Sequence, residues 1–130
     1  MTIELTYDHA YDPPAAVLPV RVASPRGDIA VLVPGLIDTG ADCSLIPTSV
    51  ARQLALPRVG SVEVQGVGGG QATAPLHAGF VEIAKMRVLV RLAALGNELI
   101  IGRDILNRLK VLLDGPRLRV RLSASLRSAR

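Results

Sequence analysis

The chain has 130 residues, the usual size of a single domain, and a hydrophobic fraction of 49%, which is enough to build a buried core. Aromatic residues make up only 2% of the chain, so stacking of nucleic-acid bases on an aromatic surface is not expected. The formal net charge is +4, but no basic run is long enough to indicate a nucleic-acid partner.

Other features exclude further classes of protein and site. The single cysteine excludes an intrachain disulfide. No basic segment followed by an apolar stretch opens the sequence, and no apolar run reaches the length of a membrane span. We therefore expect no signal peptide, no membrane partner and a cytoplasmic location. Because no cluster of residues has the spacing of a metal site, we expect neither a metal nor a cofactor.

The first half of the chain has the alternation of apolar and polar residues that is typical of short strands. The strands predicted from it cover residues 3–7, 17–23 and 29–33. Residues 24–28, between the last two strands, read as a turn and favour a hairpin. Pro47 suits the first position of a short helix over residues 48–54.

The second half of the chain continues the pattern of short strands. The strands predicted there cover residues 61–65, 79–83, 86–92 and 99–101. Asp104 suits the N-cap of a helix that carries Ile105, Leu106 and Leu109. The pair Asp114-Gly115 favours a turn within a final hairpin over residues 111–122.

These elements predict a mostly β fold, a closed or near-closed β-barrel with one or two short helices. We expect one domain over residues 1–130, with its core over residues 17–122. The ends, residues 1–12 and 123–130, are expected to be extended or frayed.

Asp38 follows an apolar run from Ile29 to Ile37 that is broken only by Pro34-Gly35. A carboxylate at the end of an apolar strand is costly to bury unless it is hydrogen-bonded or takes part in chemistry. Thr39 adds a hydroxyl, and Gly40 allows a backbone or a ligand to approach closely. The residues themselves leave two interpretations open, a catalytic acid or a structural acid that caps a turn.

Three segments together carry a family resemblance. Asp38-Thr39-Gly40-Ala41 resembles the active-site motif of aspartic proteases, and residues 64–70 resemble the glycine-rich flap. Residues 99–106 resemble the segment that leads into the C-terminal helix of retroviral-type proteases. The resemblance covers about residues 29–113 and is to retroviral-type (retropepsin-like) aspartic proteases, in the single-domain form found in cellular proteins, including bacterial ones.

The resemblance implies an aspartic endopeptidase, in which two carboxylates share one proton around one water. The sequence contains no second Asp-Thr/Ser-Gly, so the partner of Asp38 would be Asp38 of a second chain in a homodimer. Each chain would supply one lobe, with Asp38, Thr39 and Gly40 as its catalytic residues. The Thr39 hydroxyls would link the two loops below the carboxylates. We expect the dimer sheet on the hairpin of residues 111–122, with residues 3–7 as a further candidate.

By the same resemblance, the substrate is an extended peptide or protein. The residues expected to bind it are Ala41, Asp42, Gly66, Val67 and Gly68. Asp42 would contact the peptide backbone and pair with Arg103, while Gly102 and Arg103 would support the loop. The pocket walls are expected to include Ile46 and Val67, which favours apolar side chains next to the cleaved bond.

Several alternatives remain open at the level of sequence. A non-catalytic dimeric module of the same fold would bind extended peptides by strand addition. A protease limited to self-processing would cut mainly at the flanks of its own domain within a larger precursor. The glycine cluster could be a flexible loop only, and Cys43 either fills a packing space or lines a substrate subsite.

Overall fold

This computed structural model describes residues 2–27, 29–66 and 68–124. They contain ten strands and two short helices. The strands are β1 (Thr2–Thr6), β2 (Val17–Ala23), β3 (Ala30–Ile37), β4 (Leu45–Ile46), β5 (Arg58–Gln65), β6 (Gln71–Ile83), β7 (Met86–Ala94), β8 (Leu99–Ile101), β9 (Leu109–Asp114) and β10 (Arg119–Ala124). The helices are α1 (Thr48–Gln53) and α2 (Arg103–Leu106).

Six of the strands close into a barrel in the order β2-β3-β8-β4-β7-β6, because β6 also pairs with β2. The β3–β8 and β4–β7 pairs are parallel, and the other pairs in the barrel are antiparallel. Strand β5 pairs with β6 only and ends the sheet as an edge strand. The mostly β barrel predicted from the sequence is therefore confirmed.

The barrel interior is built from aliphatic side chains. On β2, Leu18, Val20 and Val22 are fully buried, while Pro19 and Arg21 between them are exposed. This is the alternation expected of a strand with one face towards a core. Burial of each such aliphatic side chain contributes about 1.5–3 kcal/mol to the stability of the fold.

Strand β3 runs through Pro34-Gly35 and reaches the acidic loop, although the sequence pattern ends it at residue 33. A Cβ atom at Gly35 would lie 2.8 Å from Val20 Cγ2 and 2.9 Å from Ile101 Cγ1. The missing side chain therefore lets β3 pack tightly against the barrel core. As a result, β3 delivers the chain directly to Asp38.

Strands β1, β10 and β9 form a second, antiparallel sheet with β10 in the middle. Register places Ile3 opposite Leu122 and Leu5 opposite Val120, and both β10 residues are fully buried. The N-terminal strand predicted at residues 3–7 thus exists at Thr2–Thr6. Residues 125–130, which belong to the end expected to be frayed, lie outside the described residues.

The second helix differs from the prediction in length and capping. It ends at Leu106, and Leu109 opens β9 instead of continuing the helix. Its N-cap is Gly102, so Asp104 lies in the first turn, where its carboxylate accepts hydrogen bonds from another segment. Pro47 likewise is the N-cap of α1 and not its first helical residue. Neither helix of the described residues is long and apolar enough to cross a membrane.

Candidate active site

Asp38 is held by backbone hydrogen bonds where β3 ends. Its amide donates to the carbonyl oxygen of Ile101 at 3.0 Å, which extends the pairing of β3 with β8 by one residue. Its side-chain Oδ1 accepts a hydrogen bond of 2.9 Å from the amide of Gly40, and its carbonyl accepts one of 3.2 Å from Ala41. The carboxylate is therefore oriented by its own loop, and in the single chain it is exposed.

Gly40 leaves room for the Asp38 carboxylate. A Cβ atom at this position would lie 3.2 Å from Asp38 Oδ1, closer than most real Cβ contacts. Any larger residue would press against the oriented carboxylate. The side chains of Asp38 and Thr39 are both exposed beside it, so the three residues of the motif form one open surface.

Arg103, the first residue of helix α2, holds the acidic loop by two hydrogen bonds to its backbone. The Nη1 of Arg103 donates to the carbonyl oxygen of Thr39 at 2.7 Å, and the backbone amide of Arg103 donates to the carbonyl of Ala41 at 2.8 Å. The expected ion pair between Asp42 and Arg103 is not among the ion pairs of the described residues. The guanidinium thus binds the backbone of the loop and not its second carboxylate.

Gly102 lets the helix and the loop approach closely. A Cβ atom there would lie 2.8 Å from the carbonyl oxygen of Ala41 and 3.1 Å from the carbonyl carbon and oxygen of Cys43. The glycine and the arginine after it therefore act together, since the close approach brings Arg103 within reach of Thr39. Both residues thus contact the acidic loop through its backbone.

A buried hydrogen-bond network that the sequence analysis missed joins the same two segments. Ser44 is fully buried, and its Oγ donates to Asp104 Oδ1 at 2.6 Å and accepts from the amide of Gly102 at 2.9 Å. The amide of Ser44 donates to Asp104 Oδ2 at 3.1 Å. A serine between Cys43 and Leu45 carries no local signal for this role, because its partners lie about 60 residues away in the chain.

A groove of about 890 Å³ lies between the acidic loop and the hairpin of β5 and β6. Its lining residues are Asp38, Gly40, Ala41, Asp42, Cys43, Leu45, Val62, Glu63, Val64, Gln65, Gly66, Ile100 and Arg103. Expected site residues of the acidic loop, from Asp38 to Asp42, and Gly66 of the hairpin therefore line the same groove, with the exception of Thr39. Gly68, Thr39 and Gly102 do not line it, and Val67 lies outside the described residues.

The hairpin turn beside the groove depends on its glycines. The amide of Gly66 donates to the carbonyl of Gly70 at 2.7 Å, and Gly68 and Gly69 have φ angles of 88° and 84°. Side chains at those two positions would be strained, because positive φ is costly for residues with a Cβ atom. These glycines follow β5, an edge strand that contributes residues 62–65 to the lining of the groove.

The comparison with known families decides how this arrangement is classified. Residues 14–114 match the family described as retroviral aspartyl protease. The chain belongs to this family. A search of curated protein sequences gives no significant match.

Solved structures of retroviral proteases share the fold. EIAV protease, complexed with the inhibitor HBY-793, superposes with a TM-score of 0.61 at 22% identity over 79% of this chain and 92% of its own. The protease of Simian Foamy Virus (mac) gives a TM-score of 0.53 at 10% identity, over 71% and 92% of the two chains. The foamy viral protease-reverse transcriptase in complex with an RNA/DNA hybrid gives 0.52 at 14% identity, over 70% of this chain and 12% of that one.

One expectation about the pocket walls fails, and an alternative left open for Cys43 is met. Ile46 is fully buried in the barrel core, so its expected place on the pocket wall is wrong, and Leu45 and Ile100 line the groove instead. Cys43 lines the groove and is half-buried. Burial raises the pKa of the Cys43 thiol, and the carboxylates of Asp104 and Asp42 raise it further.

No cluster that could hold a metal lies within the described residues. Groups of three or more histidine, cysteine, aspartate or glutamate side chains close enough for one ion are absent there. The acidic residues that line the groove are Asp38, Asp42 and Glu63, and most of the other lining residues are glycine, alanine or aliphatic. What this arrangement offers chemically is an exposed, oriented carboxylate beside a groove with mixed apolar and acidic walls.

Proposed function

We propose that this chain is an aspartic endopeptidase that works as a homodimer, in which Asp38 of each chain contributes one carboxylate to a shared pair. The observation that carries the proposal is the Asp38 carboxylate itself, oriented by the Gly40 amide and exposed beside the groove. Membership of the retroviral aspartyl protease family supports it. Because the sequence holds one Asp-Thr-Gly, a single chain supplies one of the two carboxylates that this chemistry needs.

The proposed chemistry follows from two carboxylates that share one proton. The ionised carboxylate takes a proton from a water molecule, whose oxygen attacks the carbonyl carbon of the peptide bond. The protonated carboxylate donates a hydrogen bond to the carbonyl oxygen and stabilises the tetrahedral intermediate. The C–N bond then breaks as the leaving amine receives a proton. Gly40 holds Asp38 in place during these steps, and Thr39 lies beside its counterpart near the two-fold axis.

The groove fits an extended peptide as the substrate. Residues of the edge strand β5 line it, so a peptide would add to this strand by backbone hydrogen bonds while Ala41 and Asp42 contact it from the loop. Gly66 begins the glycine turn, which gives the hairpin the freedom to move as a flap over Asp38. We include Gly68 and Val67 in that flap. EIAV protease, which has the same fold, was solved in complex with an inhibitor, which is consistent with a ligand site in this fold.

The sheet β1-β10-β9 is the surface that we assign to the homodimer. Strand β9 is one of its two edges, and Leu112 and Leu113 on it are 52% and 47% exposed. An apolar edge strand invites pairing with another strand, and a second copy would cover it. Helix α2 leads into β9 and begins at Arg103, which binds the Thr39 carbonyl, so this edge is close in the chain to the acidic loop.

The experiment that tests the proposal is cleavage of a diverse peptide pool by the wild type and by Asp38→Asn, from about pH 3 to pH 7. We expect cleavage by the wild type alone, with both proteins folded. Equal cleavage by both would overturn the proposal. Absence of cleavage by either protein, with a folded dimer present, would favour the non-catalytic peptide-binding module or a protease restricted to its own precursor.

A further inference from the structure

The net charge of the groove lining is negative, whereas the formal net charge of the whole chain is positive. Among the described residues that line it, the charged side chains are Asp38, Asp42, Glu63 and Arg103. The guanidinium of Arg103 is already bound to the carbonyl of Thr39. The formal charge of the whole chain is +4, so the negative charge of the groove is a local property of these residues.

Asp42 and Glu63 come from opposite walls of the groove. Asp42 belongs to the acidic loop after β3, and Glu63 lies on β5, the edge strand of the hairpin. Both side chains are exposed, and neither takes part in an ion pair within the described residues. A peptide that lies between the loop and the hairpin would therefore pass two carboxylates that can form ion pairs with it.

The lining also has an apolar part, to which Leu45 and Ile100 contribute. Ile100 precedes Ile101, whose carbonyl binds the Asp38 amide, and Leu45 pairs with Ile100 in the barrel. The groove therefore has an aliphatic stretch where β4 pairs with β8. Residues next to the cleaved bond would meet this surface, and residues further along the peptide would meet the carboxylates.

We propose that the groove selects peptides that carry a lysine or arginine side chain outside the residues adjoining the cleaved bond, through Asp42 and Glu63. The inference rests on the proposed function, because it takes the groove as the peptide site. Ion pairs between exposed groups are weak, so we expect a preference for lysine over glutamate of about threefold to tenfold at the responsive position. The preference falls towards unity as salt is raised, because exposed charges are screened.

The test uses a set of peptides that differ only by lysine, glutamine or glutamate at each position from four residues before to four residues after one cleavage site. Specificity is measured as kcat/KM with the wild type, and binding is measured by fluorescence polarisation with Asp38→Asn. We expect lysine peptides to be preferred in both assays. Glu63→Lys should remove or invert the preference at the position that faces β5, and Glu63→Gln should weaken it.

Glu82→Gln is the matched control, because it removes one negative charge from the chain at a site outside the groove. It should keep the lysine preference of the wild type. Equal binding of lysine and glutamate peptides, or a preference that Glu63→Lys leaves unchanged, would overturn the inference. Failure of the proposed function has a different signature, since peptides would then bind to Asp38→Asn with the expected charge preference while the wild type cleaves none of them.

Discussion

The guanidinium of Arg103 donates a hydrogen bond of 2.7 Å to the carbonyl oxygen of Thr39. The backbone amide of the same arginine donates to the carbonyl of Ala41 at 2.8 Å. One helical residue thus holds two carbonyl groups of the loop that orients Asp38. Since neither bond involves the carboxylate, Arg103 acts on the position of Asp38 through the backbone and not through its charge.

Removal of this arginine should impair activity more than stability. We expect Arg103→Ala to lower kcat by about tenfold, because a small displacement of a reacting group is costly. The free energy of unfolding should fall by only about 1 kcal/mol. Arg103→Lys should recover part of the activity at best, because an ammonium lacks the planar fork. Peptide-cleavage kinetics and urea unfolding measure the two effects. Arg108→Ala is the control, because Arg108 is an exposed arginine just after α2. Wild-type kinetics for Arg103→Ala would contradict the role of Arg103 in positioning Asp38.

The buried network around Ser44 should contribute mainly to stability. Ser44→Ala leaves the amide of Gly102 without its hydrogen-bond partner and removes one of the two hydrogen bonds to Asp104 Oδ1, which costs about 1–3 kcal/mol of unfolding free energy. Urea unfolding measures the loss. Ser49→Ala, at an exposed position of α1, should change the stability by less than about 0.5 kcal/mol. Equal effects of the two substitutions would mean that the network does not stabilise the loop.

Gly102 should be intolerant of even one added methyl group. The Cβ atom of Gly102→Ala would lie 2.8 Å from the Ala41 carbonyl oxygen, so helix or loop must move, at a cost of about 1–3 kcal/mol. Because the loop carries Asp38, cleavage activity should fall as well. Gly115→Ala is the control, since a Cβ atom there meets nothing within 4 Å. Thermal unfolding and cleavage of a neutral peptide distinguish the two variants, and a fully active, stable Gly102→Ala would show that the close approach is dispensable.

Local patterns were enough to predict those parts of the fold in which neighbours in sequence determine the structure. Strands at Val17–Ala23 and Leu99–Ile101 have the predicted bounds, because apolar alternation or a short apolar run is sufficient to identify them. The motif beginning at Asp38 was visible for the same reason. Strand β6, in contrast, begins eight residues before the predicted start, at Gln71, because pairing with β5 and β7 overrides the weak pattern of residues 71–78.

Features that depend on distant residues could not be predicted in this way. Strand β4 has two residues, and only its pairing with β7 and β8 identifies it. The same pairing turns Leu45 to the groove and Ile46 to the core, which reverses the expectation for Ile46. The contact of Ser44 with Asp104 spans about 60 residues, and neither residue type signals it locally.

Glu4 should make the stability of the β1–β10–β9 sheet depend on pH. The hydrogen bond from Arg121, followed by the charge of Arg121 and the contact with Arg119, holds the pKa of Glu4 below its ordinary value of 4.5. A carboxyl with a lowered pKa in the folded state adds stability above its unfolded pKa, and this stability is lost as the pH falls through the folded value.

The wild type should therefore be more stable than Glu4→Gln at about pH 6, and the difference should shrink as the pH is lowered to about 3. Urea unfolding at fixed protein concentration across this range measures the difference. A gap that stays constant or widens towards low pH would show that the two arginines do not act on the charged form of Glu4.

The shared carboxylate pair is tested most directly by mixing chains. The wild type is held at a fixed amount, above the concentration at which it dimerises, and a ninefold excess of Asp38→Asn is added and allowed to exchange. If each active site needs Asp38 from two chains, random pairing should reduce cleavage to about one tenth of that of the wild type alone. Unchanged cleavage after exchange, with mixed dimers shown by mass spectrometry, would contradict the account, because a chain paired with an inactive partner would then retain full activity.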